Sequence, residues 1–410
     1  MRHIWLAAAA ATAIATGAHA APLTFDAALK LADQSAPSLQ AKASEIRAVR
    51  SSAIAAGRLP DPKLAVGVEG FPVSGPNAWR PQRDDFSAVG VGLIQDVPNG
   101  AKRQAARDRA AADIGAAEAG GKVEARTVRL STALAWIDLY YAERRLAALD
   151  EVEQTLKSLR AAAPGQLASG ASRPAETLQA DQLTAELGDR RSDMVAAIGK
   201  ARAALARWTG DPEVDVVGDP PSYDVDSVKL RVGLEDVPSL RAYDAMSRQA
   251  EADVTAAKAD KRPDWSWELG YQHRDPRFGD MVMVQATVSL PFFASTRQDP
   301  VIAARTELAS RVRSEREAAR RGLTASLDTD LADHLMHHDR LHRALETLVP
   351  LARRRLDLET ASYAAGTATL ADALGASISL VGARVDALDR EADVARDAVR
   401  IVLTYEGDAQ

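Results

Sequence analysis

The 410-residue sequence contains no cysteine. That excludes disulfide staples, thiol catalysis and thiolate metal sites, and it excludes the lipidated cysteine of a lipoprotein. Apolar runs are short as well. After the N-terminal stretch, no segment reaches the 18 or so consecutive apolar residues of a membrane-spanning helix. Walker loop, dinucleotide fingerprint and G-x-S-x-G are all missing, and no Ser/His arrangement suggests nucleophilic catalysis, so neither an enzyme nor a cofactor is expected. Methionine is scarce, at six residues, and only Met281 and Met283 stand close together, which gives no support to a methionine relay for Cu(I).

The first twenty residues read as an export signal. Arg2 and His3 precede an apolar run from Ile4 to Gly17, followed by Ala18-His19-Ala20 as a small-x-small cleavage site. Cleavage there removes one Arg, leaving 50 of the 51 Lys and Arg against 57 acidic residues, a net charge of about −7. Nucleic acid is therefore not an expected partner. An exported chain without disulfides or apolar helices is soluble periplasmic, secreted, or an outer-membrane barrel.

Residues 99–163 contain no proline, and their second half repeats apolar residues at Leu130, Leu134, Ile137, Tyr141, Ala148, Val152 and Leu159. Those steps of mostly three, four and seven are the coiled-coil period. About 60 helical residues extend roughly 90 Å, against the 8–20 residues of an ordinary globular helix. This helix is expected to end near Pro164-Gly165. Ahead of it, helices are expected over 24–34 and 38–57, with Thr24 as N-cap, and the period then changes to two: Leu64, Val66 and Val68 alternate with Ala65, Gly67 and Glu69.

The second half repeats the first. Ala36-Pro37-Ser38-Leu39 falls on Val237-Pro238-Ser239-Leu240 at an offset of 201, and Pro62 falls on Pro263 at the same offset. Leu64, Val66 and Val68 then fall on Trp265, Trp267 and Leu269, so the strand face is preserved. Pro98 falls on Pro291 at offset 193, and Gly170 on Gly366 at 196. The expected plan is a signal at 1–20, a first repeat at 21–210, a connector at 211–236, a second repeat at 237–406 and a tail at 407–410. Strands are expected near 63–70, 87–97, 264–272 and 281–291, and tip turns near 164–176 and 364–372. The fold class is mostly α with a small β part.

The strands are amphipathic with a period of two. Trp265, Trp267, Leu269 and Tyr271 form one face, and Ser266, Glu268, Gly270 and Gln272 the other. Apolar-out, polar-in alternation over about ten residues is the pattern of a transmembrane barrel strand, although a soluble sheet with one face on a core alternates too. Four strands fall short of the eight or so that close a barrel, so they must be pooled between chains.

These features resemble the TolC-like outer-membrane factor family over nearly the whole mature chain, Leu23 to Glu406. The resemblance is carried by the duplicated helix–strand–strand–helix plan, by Gln95-Asp96-Val97-Pro98 with Gly100 and Lys102-Arg103, and by Tyr363-Ala364-Ala365-Gly366-Thr367 leading to Asp372 and Leu374. It implies a homotrimer in the outer membrane of a Gram-negative bacterium, twelve pooled strands in lipid, and an α-helical tunnel in the periplasm. It also implies a periplasmic adaptor and an inner-membrane RND-type pump as partners. LPDPKLAVGVEGFPV and QDVPNGAKR look most like the heavy-metal efflux branch. A drug-efflux or type I secretion duct of the same family is the alternative, as is, from a different class, a periplasmic coiled-coil adaptor protein.

By position, the resemblance puts Gly170, Ala171, Gly366 and Thr367 at the adaptor-docking tip, and Glu176 and Asp372 in an acidic ring that narrows the closed pore. Gly375 stands where the family pattern leads one to expect a second acid. The plainer reading is that both acids favour the first turn of outgoing helices. In DHLMHHDRLHR, His334, His338 and His342 share a helical face and are candidate metal ligands, whereas a solvated polar face is the plainer alternative. Pro350 is expected to interrupt the last long helical pair as a kink.

Overall fold

The computed structural model describes residues 22–168 and 174–407. The expected signal peptide, Gly170, Ala171 and the last three residues lie outside them. Among the described residues the chain order is α1 (Phe25–Ser35), α2 (Pro37–Ala53), β1 (Lys63–Glu69), β2 (Ala88–Val97), α3 (Gly100–Ala168) and α4 (Pro174–Thr209). The second half follows as α5 (Ser227–Gly233), α6 (Pro238–Ala259), β3 (Trp265–His273), β4 (Met281–Val288), α7 (Ala294–Arg343), α8 (Val349–Ala364) and α9 (Leu370–Tyr405). The fold is mostly helical with one small sheet.

Two compact units form from discontinuous segments: among the described residues one holds 22–36, 128–168, 174–225 and 330–403, the other 37–127, 226–329 and 404–407. The first unit is a helical bundle. Thr24 caps α1, its Oγ1 accepting from the Ala27 N–H at 3.3 Å. Phe25, Ala28, Leu29 and Ala32 bury one stripe of that helix. Phe25 meets the fully buried Trp136 edge-on at 5.5 Å, and Trp136 stacks on Tyr140 at 5.3 Å. The indole Nε1–H of Trp136 donates to the Leu23 carbonyl at 3.0 Å, so its one polar atom is satisfied. Leu23 in turn pairs with the connector through a parallel bridge to Val216. Tyr140 reaches Asp219 at 2.8 Å, and its hydroxyl is pushed up to about 12, first by burial. Ala133, Ala135, Ala392 and Ala398 are buried in α3 and α9, and side chains that small let helices approach closely.

Two helix breaks differ from expectation. α3 does not stop at Pro164-Gly165 but stays helical to Ala168; a proline φ fits a helix, and so near the end only one backbone hydrogen bond is forgone. At Pro350 the expected kink takes the form of a five-residue π segment, Ala344–Leu348, after which Pro350 occupies the first turn of α8. Pro350 has no N–H for residue 346, and the wider π turn relieves the clash of its ring with that carbonyl.

The second unit carries the sheet, an antiparallel meander in the order β1-β2-β3-β4. Its helices pack around small residues and ion pairs. A Cβ on Gly121 of α3 would lie 3.3 Å from Ile46 Cδ1 of α2. Arg316 of α7 reaches Asp244 of α6 at 2.6 Å and Glu235 at 3.0 Å.

Trp136→Ala removes the largest buried ring of the first unit and is expected to destabilise it by about 3–5 kcal/mol. Trp136→Phe, which keeps a ring and leaves the Leu23 carbonyl its second donor, the Val217 N–H at 3.2 Å, should lose about 0.5–1.5 kcal/mol. Thermal unfolding followed by circular dichroism checks the ranking; equal midpoints for the two variants would refute the role given to the buried ring.

Candidate functional site

The sheet register sorts its side chains into two unlike faces. Val66 pairs with Val91, Val91 with Tyr271 and Tyr271 with Val282; Leu64 pairs with Leu93, Leu93 with Leu269 and Leu269 with Val284. Trp267 and Trp265 continue the face opposite Ala286 and Val288, and Gln95 and, at the end of β3, His273 are its polar residues. The opposite face pairs Gly67 with Gly90, Gly92 with Gly270, Glu268 with Gln285 and Ser266 with Thr287. Exposure runs opposite to that of a soluble sheet. Trp265, Trp267, Leu269 and Tyr271 are 45, 49, 56 and 45% exposed, whereas Ser266, Glu268 and Gln272 are half-buried. Aromatic side chains stand exposed beyond both ends of the strands: Trp79, Phe86 and Phe278 in the two hairpin connections, Phe292 and Phe293 after β4.

A polar hub sits where the helices of this unit meet the strands, built from the QDVPNGAKR motif. Asn99 donates its backbone N–H to Asp264 Oδ1 at 2.8 Å, and its amide nitrogen donates to the Ala259 and Arg262 carbonyls, both at 3.2 Å. Asn99 Oδ1 also caps α3 by accepting from the Lys102 N–H at 2.9 Å. Lys102 Nζ lies 2.6 Å from Asp264 and 3.0 Å from Asp260. Arg103 donates to the Gly57 carbonyl at 2.9 Å, and Gln95 to the Pro60 carbonyl, also at 2.9 Å. One nine-residue motif thus fixes the chain leading into both β1 and β3. Gly57 has φ +68°, and a Cβ there would fall 2.3 Å from the Arg103 carbonyl oxygen, so the position admits only glycine. The sequence singled out this motif but not its partner Asp264, whose only signal is its place before Trp265.

At the second tip turn, α8 closes on Gly366 at φ +74°, with the Gly366 N–H on the Tyr363 carbonyl and the Thr367 N–H on the Ser362 carbonyl. Thr367 Oγ1 adds a 3.0 Å bond to the same Ser362 oxygen. α9 then opens with a reciprocal cap: the Asp372 N–H donates to Thr369 Oγ1 at 3.1 Å, while the Thr369 N–H and hydroxyl donate to the Asp372 carboxylate at 3.0 and 2.7 Å. Those bonds from Thr369 hold the exposed Asp372 carboxyl below the usual carboxylate range. T-x-x-D was legible as a capping box, and Thr369 is the residue the sequence reading missed. Glu176 lies in the first turn of α4, but its side chain, like Gly170 and Ala171, falls outside the described residues.

The histidines divide. His337 Nδ1 lies 2.6 Å from the buried Asp397, and His342 Nδ1 lies 3.0 Å from Glu346. His334 and His338 meet edge to face at 5.5 Å. Burial pushes His334 below the usual imidazole range. Among the described residues no three His, Cys, Asp or Glu side chains converge as a metal site, and no helix is long and apolar enough to cross a membrane.

Residues 232–404 match the family model described as outer membrane efflux protein. No curated protein matches the chain. Among solved structures, CusC, described in connection with transmembrane channel formation, aligns with TM-score 0.75 at 15% identity over 93% of this chain and 92% of its own. The MtrE outer membrane channel of Neisseria gonorrhoeae aligns with TM-score 0.74 at 16% identity over 94% and 90%. VceC, an outer membrane protein of Vibrio cholerae, aligns with TM-score 0.73 at 20% identity over 94% and 97%. The resemblance to outer-membrane factors drawn from the motifs therefore holds, in sequence over residues 232–404 and in fold over nearly the whole chain. The family match and the outward apolar face together support an outer-membrane location.

Thr369→Ala and Asp372→Ala each remove half of the reciprocal cap and should loosen the start of α9 by about 1 kcal/mol. Because the Asp372 carboxyl is depressed, its contribution is present above the ordinary carboxylate range and is lost as pH falls through the depressed value. Hydrogen exchange of the amides at 371–374 reads this directly. Protection unchanged in both variants would refute the cap.

Proposed function

We propose that this chain is the outer-membrane exit duct of a tripartite efflux system, passively exporting cargo that an inner-membrane pump delivers through a periplasmic adaptor. The observation that carries the reading is the sheet with its apolar side outward. An exposed face of Val, Leu, Trp and Tyr is stable only against lipid or another apolar surface. β3 has nine residues, about 30 Å at the usual rise and roughly 21 Å once tilted, which approaches the apolar band of a bacterial outer membrane. Aromatic residues beyond both ends of the strands fit the two interfacial girdles of such barrels.

Within one chain β1 and β4 are edge strands, and an open edge cannot stand in hydrocarbon. Three copies of the four-stranded sheet give twelve strands and leave no edge. Trp265, Trp267, Leu269 and Tyr271 then face lipid, and the face of Gly67, Gly90, Gly92 and Glu268 lines water. Gly366 and Thr367, with Gly170 and Ala171, form the adaptor-docking tip. Asp372 and Glu176 form the periplasmic constriction: three copies of each carboxylate attract cations and repel one another. The cargo is heavy-metal cations, a reading supported by the LPDPKLAVGVEGFPV and QDVPNGAKR motifs and by the acidic constriction.

The chain has no cysteine of its own, so pairs of cysteines, one on β1 and one on β4 of the same chain, test the pooled barrel. Oxidation in intact outer membranes should produce trimers on non-reducing gels. Chains that stay monomeric at every pair of positions, or that are released by carbonate or osmotic shock, would contradict the duct and favour a soluble adaptor. In planar bilayers Asp372→Ala with Glu176→Ala should raise single-channel conductance, whereas Thr369→Ala, which removes the cap but keeps the charge, should not; equal conductance in all three proteins would overturn the gate. A deletion strain should become sensitive to divalent heavy metals, and sensitivity to drugs alone would move the cargo to the drug branch.

A further inference from the structure

We infer that His334 and His338 of α7 form a surface binding site for a first-row divalent transition-metal ion such as Zn2+ or Cu2+. The two residues are four apart on one helix, the spacing at which two imidazoles share an ion. Their geometry already suits a shared ligand. Metal–nitrogen bonds of about 2.0–2.1 Å place two ring centres on one ion roughly 5 Å apart, and the observed separation is 5.5 Å.

His334 Nδ1 is buried and has no hydrogen-bond partner. A buried imidazole nitrogen left unmatched is unfavourable, and a metal supplies the missing partner. His338 is exposed, so an ion reaches the pair from water and keeps water in its remaining coordination positions. The neighbouring histidines are engaged elsewhere, His337 with Asp397 and His342 with Glu346. That division singles out the pair from the four histidines of this stretch. Asp397 of α9, paired with His337 at 2.6 Å, adds negative potential near the pair. Imidazole ligands without thiolate or thioether favour borderline ions over Cu(I), Ca2+ or Mg2+.

The site does not depend on the exit-duct reading, since a duct for any cargo, or a soluble protein, could carry it. The test is isothermal titration of ZnCl2, and separately CuCl2, into the full chain purified through a non-histidine tag. One ion per chain should bind, with affinity falling at least about tenfold in His338→Ala and in His334→Ala, and unchanged in His342→Ala. His338→Ala alters only an exposed side chain, so its loss of binding is not confounded by misfolding; circular dichroism confirms this. For Cu2+, electron paramagnetic resonance should show two nitrogen ligands in the wild type and fewer in His338→Ala. No binding to the wild type, or equal affinity in wild type and His338→Ala, would overturn the proposal. Metal sensitivity of a deletion strain plays no part in this test, so the site and the cargo reading can fail separately.

Discussion

The sheet cannot be stable as one chain presents it. Its outward face is apolar along all four strands, its inward face is polar and glycine-rich, and both edge strands are open. Water leaves the apolar face uncovered, and hydrocarbon leaves the edges unpaired. Only closure with further strands inside an apolar medium satisfies both demands. Much else in this unit is intelligible as preparation for that state. The hub of Asn99, Lys102, Arg103 and Asp264 fixes the approach to β1 and β3, so the register that separates the two faces is set before any neighbouring chain arrives.

The helical unit follows a different logic. It has an ordinary buried core around Trp136, Tyr140 and Leu205, sewn to the N-terminal segment and the connector by the Trp136–Leu23 bond and the Leu23–Val216 bridge. Its helices are long and its buried side chains are often alanine. Ion pairs such as Arg396–Asp138 and Arg145–Asp389, at 2.6 and 2.5 Å, join α3 to α9 across partly exposed surfaces. Pairs of that kind contribute little stability individually and mainly specify how the helices mate.

Most of the architecture was legible in the sequence because periodicity reports burial directly. The change from helix to alternation at Leu64 located β1, and the 201-residue offset located β3. What periodicity does not report is hydrogen bonding between distant segments. The QDVPNGAKR motif was visible, yet nothing in it names Asp264, 165 residues from Asn99. Asp372 was visible as an acid, and the T-x-x-D spacing that caps it with Thr369 was legible too, though the sequence reading passed over it. His334, His338 and His342 looked like one group on one face, with His337 beside them. Packing against α9 assigned His337 to Asp397 and left His334 with His338. Proline was an uneven guide: Pro164 does not end α3, whereas the interruption expected at Pro350 is present as a π turn.

The central claim is that the Trp265–Tyr271 face lies against lipid. Fluorescence quenching by brominated acyl chains tests it in a variant reconstituted in bilayers with Trp265 and Trp267 kept and the other tryptophans changed to phenylalanine. The account expects strong quenching by the bromolipid and little by aqueous iodide. Trp136, kept alone in a second variant, should be insensitive to both because it is fully buried in the helical unit. Iodide quenching of Trp265 and Trp267 with no response to the bromolipid would place that face in water and contradict the account.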